Sequence, residues 1–431
     1  MTPLWLQRRG RALLLLAGAA LTLLALTVDL LRLGRWHRIG LGQAVALLAG
    51  LGLLGAGWWL RPQDWQSWEA LRRRLRSFYV TLAVLALNTL LLLLALEAAS
   101  QFALRQDLFG AGVSAVETVG KDTPAWADTY WREHEATGRK RYAPYLLWRT
   151  PSFAGETINV DSEGRRQTPG ALCKAGAYRV FTFGGSAMWG HGVPDWETIP
   201  AHLQAGLAAR HEGPVCVQNF AERGYVATQG MVALSLALQA GDVPDLVIFY
   251  DGANDLAAAL QPGGVGAHLN LEEIRTRFEQ PWLGVLSESY TMQLARRLAT
   301  SSASNAASAR PEQLSQSVLQ RYRGVYELVA ALAEEYGFAY AFFWQPLITV
   351  GEQPLTAPEQ ALAATFPSHL NAYYDASYAQ AATLADELPY LYYLGDVFDE
   401  KTEPVWLDPV HLLPAGNRMV AARILDLINV P

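Results

Sequence analysis

The sequence predicts an α/β domain built on a parallel sheet and preceded by three transmembrane helices. Two observations carry that prediction. From Tyr178 onward short apolar runs alternate with amphipathic stretches, the rhythm of strands joined by crossover helices. Before residue 100, three apolar segments each approach the roughly 20 residues that cross about 30 Å of hydrocarbon as a helix. Composition agrees, because 51% hydrophobic and 17% charged is apolar for a purely soluble chain of 431 residues.

The apolar segments run from Ala12 to about Leu33, from about Ile39 to Leu60, and from Phe78 to about Leu96. The first comes after Arg8, Arg9 and Arg11 as a signal peptide would, but it is too long for an h-region and two more spans lie beyond it. The second holds GLGLLGAG at Gly50 to Gly57, which in a membrane reads as close helix contact through small residues; a soluble core hairpin is the alternative. Arg61, Arg72, Arg73, Arg74 and Arg76 crowd the connection to the third segment, with Trp58, Trp59, Trp65 and Trp68 as interfacial anchors. By the positive-inside rule that connection is cytoplasmic, although Arg32, Arg35 and Arg38 on the opposite loop weaken the contrast. Everything after about residue 100 then lies on the periplasmic or extracellular side of an inner membrane.

Charge separates the two parts. Residues 1 to 100 carry 11 Lys+Arg against 4 Asp+Glu, and the remainder carries 23 against 36. An acidic portion without basic stripes excludes nucleic acid as a partner, since phosphate contacts need clustered Lys and Arg. Cys173 and Cys216 are the only cysteines, and an outer location permits a disulfide between them; two free buried thiols are the equal alternative.

Three domains are expected: 1–100 in the membrane, 101–177 as a lead-in packed on the third, and 178–431 as the α/β domain. The lead-in carries Trp126, Trp131, Tyr142, Tyr145 and Trp148 and the turn-rich NVDSEGRR at Asn159 to Arg166. Core packing is the first reading of those aromatics, a carbohydrate-stacking surface the second. Strands are expected at Tyr178 to Phe183, Val215 to Phe220, Leu246 to Tyr250, Ala339 to Trp344 and Leu391 to Tyr393, apolar enough to be covered on both faces. Helices fall at about Ile199 to Arg210, about Gly230 to Ala240, and Pro311 to Tyr336, the last stopping at Gly337. Thr300 to Arg310 (TSSASNAASAR) reads as a mobile surface linker.

Four short segments carry the chemistry: GGSAMWG at Gly184 to Gly190, NFAERGY at Asn219 to Tyr225, DGAND at Asp251 to Asp255, and DPVHL at Asp408 to Leu412. The first three end predicted parallel strands, and loops at the carboxyl ends of such strands meet where ligands bind. The fourth precedes a terminal helix from Pro414 through Met419 to about Leu427. Ser186 is a weak nucleophile until a base takes its proton. His411 would supply that base, and Asp408, three residues earlier, would fix the imidazole tautomer. The tetrahedral intermediate then needs donors at its oxyanion, for which the backbone N–H of Ser186, that of Gly224 and the amide of Asn254 are candidates. Ser186 as a helix cap, Asn254 as a turn residue and a chance surface pairing for Asp408 and His411 are the bland alternatives. Asp251 and Asp255 read as loop-bracing groups. Trp189 and His191, close after the serine, are candidates to line a substrate pocket, with packing as the alternative. No metal is expected, since the eight histidines show no HExxH or paired ligand spacing.

The order Ser, Gly, Asn, Asp-x-x-His over residues 178 to 431 resembles the SGNH hydrolase superfamily, the GDSL-type esterases and lipases. The resemblance implies a three-layer α/β/α fold without a cofactor. By position it implies Ser186 as nucleophile, Ser186, Gly224 and Asn254 as the oxyanion hole, and Asp408 with His411 completing the triad. One departure is visible: Gly-Asp-Ser becomes Gly184-Gly185-Ser186. For a membrane-anchored bacterial member the resemblance suggests hydrolysis of O-acyl esters, O-acetyl first, on a cell-surface or exported glycan, with a lipid-like ester and polysaccharide-assembly partners also in view. Acyl transfer to a sugar hydroxyl is the runner-up. A non-catalytic glycan-binding or assembly subunit is the alternative of another class.

Overall fold

The computed structural model describes residues 4–27, 41–59, 68–106, 124–279, 289–299 and 310–428. Ile39, Arg32, Arg35, Arg38, Arg61, Trp65 and most of the Thr300 to Arg310 linker, to which the sequence assigns roles, lie outside the described residues. The chain divides into two compact units, Met1–Gln106 and Asp107–Pro431.

The first unit holds α1 (Leu4–Thr27), α2 (Leu41–Trp59) and α3 (Trp68–Arg105). Among the described residues, two stretches are long and apolar enough to cross a membrane, Arg9–Thr27 and Glu69–Leu104. The third expected span is not matched in the same way. The apolar part of α2, Gln43–Trp59, is 17 residues at most, about 25 Å, short of the roughly 30 Å of a hydrocarbon core. The expected small-residue contact is present between α1 and α2. A Cβ on Gly18 would come within 2.7 Å of the Leu54 nitrogen, and one on Gly57 within 2.9 Å of the Leu15 side chain. Gly52 and Gly55, by contrast, have open space beside them, so only part of the glycine run serves the contact. Arg11 donates to the Gly57 carbonyl at 3.0 Å and Gln43 to the Ala25 carbonyl at 2.6 Å, closing the pair at both ends.

The second unit opens with α4 (Ala127–Ala136), an antiparallel hairpin of β1 (Arg141–Ala143) and β2 (Leu147–Arg149), and a second one of β3 (Phe153–Ala154) and β4 (Asn159–Val160). Five parallel strands come next: β5 (Tyr178–Gly184), β6 (Val215–Asn219), β7 (Leu246–Asp251), β8 (Ala339–Trp344) and β9 (Leu391–Tyr393), in sheet order β6-β5-β7-β8-β9. All five expected strands are present within a residue or so of their expected ends.

Strand alternation sorts side chains onto two cores. Phe181, Phe183, Val247, Phe249, Phe342 and Trp344 face one way, toward α7 (Ala227–Gln239), α11 (Pro311–Tyr336) and α13 (Asn371–Glu387). Val180, Ile248, Tyr250, Ala341 and Phe343 face the other, toward α6 (Ile199–Arg210) and α14 (Pro414–Leu427). Helices on both faces of a parallel sheet make an α/β fold of three layers. Shorter helices complete it: α5 (Ser186–Trp189), α8 (Ala253–Ala259), α9 (Leu271–Glu279), α10 (Tyr290–Ala299) and α12 (Ala357–Ala364).

The lead-in aromatics divide. Trp148 is buried and Trp126 and Trp131 pack on the second core, but Tyr142 and Tyr145 are 75% and 78% exposed, so core packing does not account for that pair. Cys173 and Cys216 form a disulfide that ties the approach to β5 to strand β6, with Cα atoms 4.8 Å apart. It closes a 43-residue separation, worth about 4 kcal/mol in the chain-entropy account. Replacing both cysteines with alanine is therefore expected to lower the unfolding free energy of the second unit by about that amount. Urea midpoints read with and without reductant check it: the wild type should shift and the double variant should not.

Candidate active site

Chain order and sheet order together place the site. The chain leaves β5 for β6 on one side and then crosses to β7 on the other, so the carboxyl ends of β5 and its two neighbours flank a topological switch point. The three motif loops sit there.

Strand β5 ends at Gly184, Gly185 caps the one-turn α5, and Ser186 is its first residue. Ser186 therefore does not cap the helix. Its Oγ instead lies 2.7 Å from His411 Nε2. His411 Nδ1 lies 2.6 Å from Asp408 Oδ2, and Asp408 Oδ1 accepts the backbone N–H groups of Val410 and His411, each at 2.8 Å. Burial alone would raise the Asp408 carboxyl; the imidazole beside it and the two backbone donors outweigh that and hold it well below the usual carboxylate range.

The loop bearing His411 is fixed by a group that sequence reasoning missed. Glu359 accepts from the backbone N–H of Val405 at 2.9 Å and pairs with the buried Lys401 at 2.6 Å. The same carboxylate closes a capping box on Thr356, whose T-x-x-E spacing in TAPE was a readable signal. Arg166 is the second omission. It is fully buried, pairs with Asp195 at 2.7 Å, and donates to the carbonyls of Gly190 and Val193 at 2.5 and 2.7 Å, gripping the loop just past the serine.

Gly224 has φ +82, a backbone that favours glycine, and the space a Cβ would take is bordered by Trp148 and Leu269 at 3.6 and 3.7 Å. Asn254 Nδ2 donates to the Tyr225 carbonyl at 2.7 Å, which leaves its second hydrogen for another acceptor. The same amide lies against Gly185, so closely that any Cβ there would run into it.

No protein-family model matches the chain, and no curated protein does. Solved structures similar to it include a member of the lipolytic protein G-D-S-L family from Veillonella parvula DSM 2008, at 12% identity over 58% of this chain and 97% of that one, TM-score 0.32. Others are the acetyl xylan esterase AlAXEase, at 15% identity over 58% and 99%, TM-score 0.31, and a mutant of Axe2, an acetyl-xylooligosaccharide esterase from Geobacillus Stearmophilus, at 13% over 60% and 97%, TM-score 0.31. Overlaps at these scores fix neither the fold nor the activity of this chain.

Trp189 does not line a pocket. It has no exposed surface, and its indole lies between the guanidinium groups of Arg166 and Arg223, 4.4 and 4.5 Å from the ring centroid. His191 is closer to the chemistry, its ring 4.3 Å from that of His411 and 4.8 Å from that of His134. Burial, then the neighbouring His411, pushes His191 down to about 2, and burial with Arg223 pushes His134 down to about 4, so both rings are neutral at physiological pH. His191, Asp408 and His411 offer donor atoms within 4.8 Å of one another, the spacing of a metal cluster. Both His411 nitrogens are, however, already engaged by Ser186 and Asp408.

Of the two other acids in DGAND, Asp255 accepts from the Ala227 N–H at the start of α7 at 3.2 Å, a loop-bracing contact, and Asp251 is buried in β7. Burial pushes Asp255 up to about 7. A folded-state value above the unfolded one of about 3.9 gives stability that is full below pH ~4 and lost as pH rises through about 7. Asp255→Asn, which keeps the acceptor without the charge, is therefore expected to gain stability relative to the wild type between pH 5 and pH 8, read as the difference between their urea midpoints at each pH.

Proposed function

We propose that this chain is a membrane-anchored serine ester hydrolase of the SGNH type. The observation that carries the reading is the unbroken hydrogen-bonded relay Ser186–His411–Asp408, at 2.7 and 2.6 Å, assembled from opposite ends of the domain. In the proposed cycle His411 takes the Ser186 proton as Oγ attacks the ester carbonyl, and Asp408 stabilises the imidazolium. The oxyanion is met by the N–H groups of Ser186 and Gly224 and by the free hydrogen of Asn254. His411 then protonates the leaving alcohol and activates water to release the acyl group from Ser186.

The domains we propose are 1–100 in the membrane, 101–177 as lead-in and 178–431 as hydrolase. Three spans, α2 included, would leave residues after about 100 on the periplasmic or extracellular face, and the Cys173–Cys216 disulfide supports an oxidising compartment there. The substrate we propose is an O-acyl ester, O-acetyl first, on a cell-surface or exported glycan. A polysaccharide-assembly apparatus is the matching partner.

A fluorophosphonate probe tests the chemistry. The full-length protein in detergent should label once, and Ser186→Ala should not label; an unlabelled folded wild type would return the chain to the glycan-binding class. Turnover of an acetylated sugar with and without a second sugar then separates hydrolysis from transfer.

A further inference from the structure

The oxyanion loop is not held by the sheet alone. Between Phe220 and Tyr225 it is gripped, almost residue by residue, by the lead-in strand β2 and its neighbours. Arg149 donates to the Phe220 carbonyl at 2.8 Å, Trp148 Nε1 to the Arg223 carbonyl at 3.0 Å, and the Tyr225 hydroxyl to the Trp148 carbonyl at 2.5 Å. At the centre is Glu222, whose side chain has no exposed surface. Its carboxylate accepts from the Thr150 N–H at 2.6 Å, the Thr150 hydroxyl at 2.9 Å, Lys140 Nζ at 2.5 Å and the Arg223 N–H at 2.8 Å.

The backbone of the same residue points the other way. Glu222 N–H donates to the carbonyl of Gly184, two residues before Ser186, at 3.2 Å, and the Tyr225 N–H closes a turn onto the Glu222 carbonyl at 3.1 Å. Gly224 lies inside that turn. One residue therefore ties three things together: the end of the nucleophile's strand, the turn that presents Gly224, and the lead-in segment.

We propose that Glu222 is a positioning residue: pinned by Lys140 and Thr150 of the lead-in, it sets where the Gly224 N–H points, so that residues 140–150 belong to the catalytic apparatus. This rests on the hydrolase reading above. The physical reason is the tolerance of an oxyanion hole. A donor helps only at about 2.7–3.1 Å from the developing oxyanion, and a displacement near 1 Å is enough to cost about 100-fold. A carboxylate with four donors and no exposed surface is a stiff anchor, because each lost partner leaves a buried polar group unpaired.

The test compares Glu222→Gln, Thr150→Val and Lys140→Met in the full-length protein, with rates on an aryl acetate normalised to sites titrated by fluorophosphonate. Misplacement of one oxyanion donor predicts a fall in kcat of about 10- to 100-fold for Glu222→Gln with KM within about twofold of wild type. Affinity for a boronic acid, whose tetrahedral adduct uses the same hole, should fall in parallel. Thr150→Val and Lys140→Met should fall less, and Lys140→Arg should recover what Lys140→Met loses. A purely structural role would lower the number of titrated sites and leave kcat per site unchanged, and that result, or losses confined to KM, would overturn the proposal. Failure of the hydrolase reading looks different: there the wild type itself does not label.

Discussion

Asp408→Asn is expected to lower ester turnover about 10⁴-fold, although it exchanges one oxygen for an NH2 group. The size of the loss comes from the contacts that Asp408 Oδ1 already makes. It accepts two backbone N–H groups, from Val410 and His411, at 2.8 Å each. An asparagine here must keep its carbonyl oxygen toward those two donors, since its NH2 cannot accept from them. The NH2 is then aimed at His411 Nδ1, 2.6 Å away from the present oxygen, and that nitrogen can only accept. The ring proton moves to Nε2, facing Ser186, where the base must be free. Folding and the Ser186–His411 distance should survive while the tautomer is wrong. The check is kcat on an aryl acetate beside an unchanged urea midpoint; turnover within tenfold of wild type would remove Asp408 from the relay.

The parts of the site that could be read in advance are those written in consecutive residues. GGS at a strand end, DxxH before a terminal helix and apolar runs of five to seven residues are local patterns, and the strands and the relay came from them. What escaped is non-local or atypical. The strands of the lead-in are two or three residues long, too short for any periodicity, and the Thr150–Glu222 bonds that give them purpose span 72 positions. Helix α13 buries Tyr373, Tyr374 and Tyr378 where an apolar stripe is the usual signal. Two of the hydroxyls are satisfied by distant carbonyls, Tyr373 on Leu256 and Tyr378 on Gln345, each at 3.0 Å. The expectation for Trp189 erred by the same logic, because sequence proximity to the serine says nothing of the two guanidinium groups that enclose the indole.

Arg166→Met is expected to cost about 3–5 kcal/mol of stability, a large part of the 5–15 kcal/mol that typically holds a domain together. Arginine in a turn-rich stretch reads as surface charge, yet this one is 1% exposed. Two separable costs meet in it. The first is the ion pair: Asp195 would keep only Asn159, at 3.0 Å, as a side-chain donor in a site whose burial already raises its carboxyl. The second is the set of buried carbonyls at Trp189, Gly190 and Val193, which would lose their common donor. Asp195→Asn separates them. It removes the charge partner but leaves the guanidinium with all its carbonyl acceptors, so it should cost clearly less than Arg166→Met. Adding Asp195→Leu to Arg166→Met should then recover only part of the loss, since the carbonyls stay unpaired. Urea midpoints read as loss of fluorophosphonate labelling report the stability of the unit that carries Ser186. Equal midpoints for Arg166→Met and Asp195→Asn would make the pair, not the carbonyl clamp, the source of stability. A lower midpoint for Arg166→Met assigns the difference to the carbonyls of Trp189, Gly190 and Val193 that the guanidinium holds in the loop after Ser186.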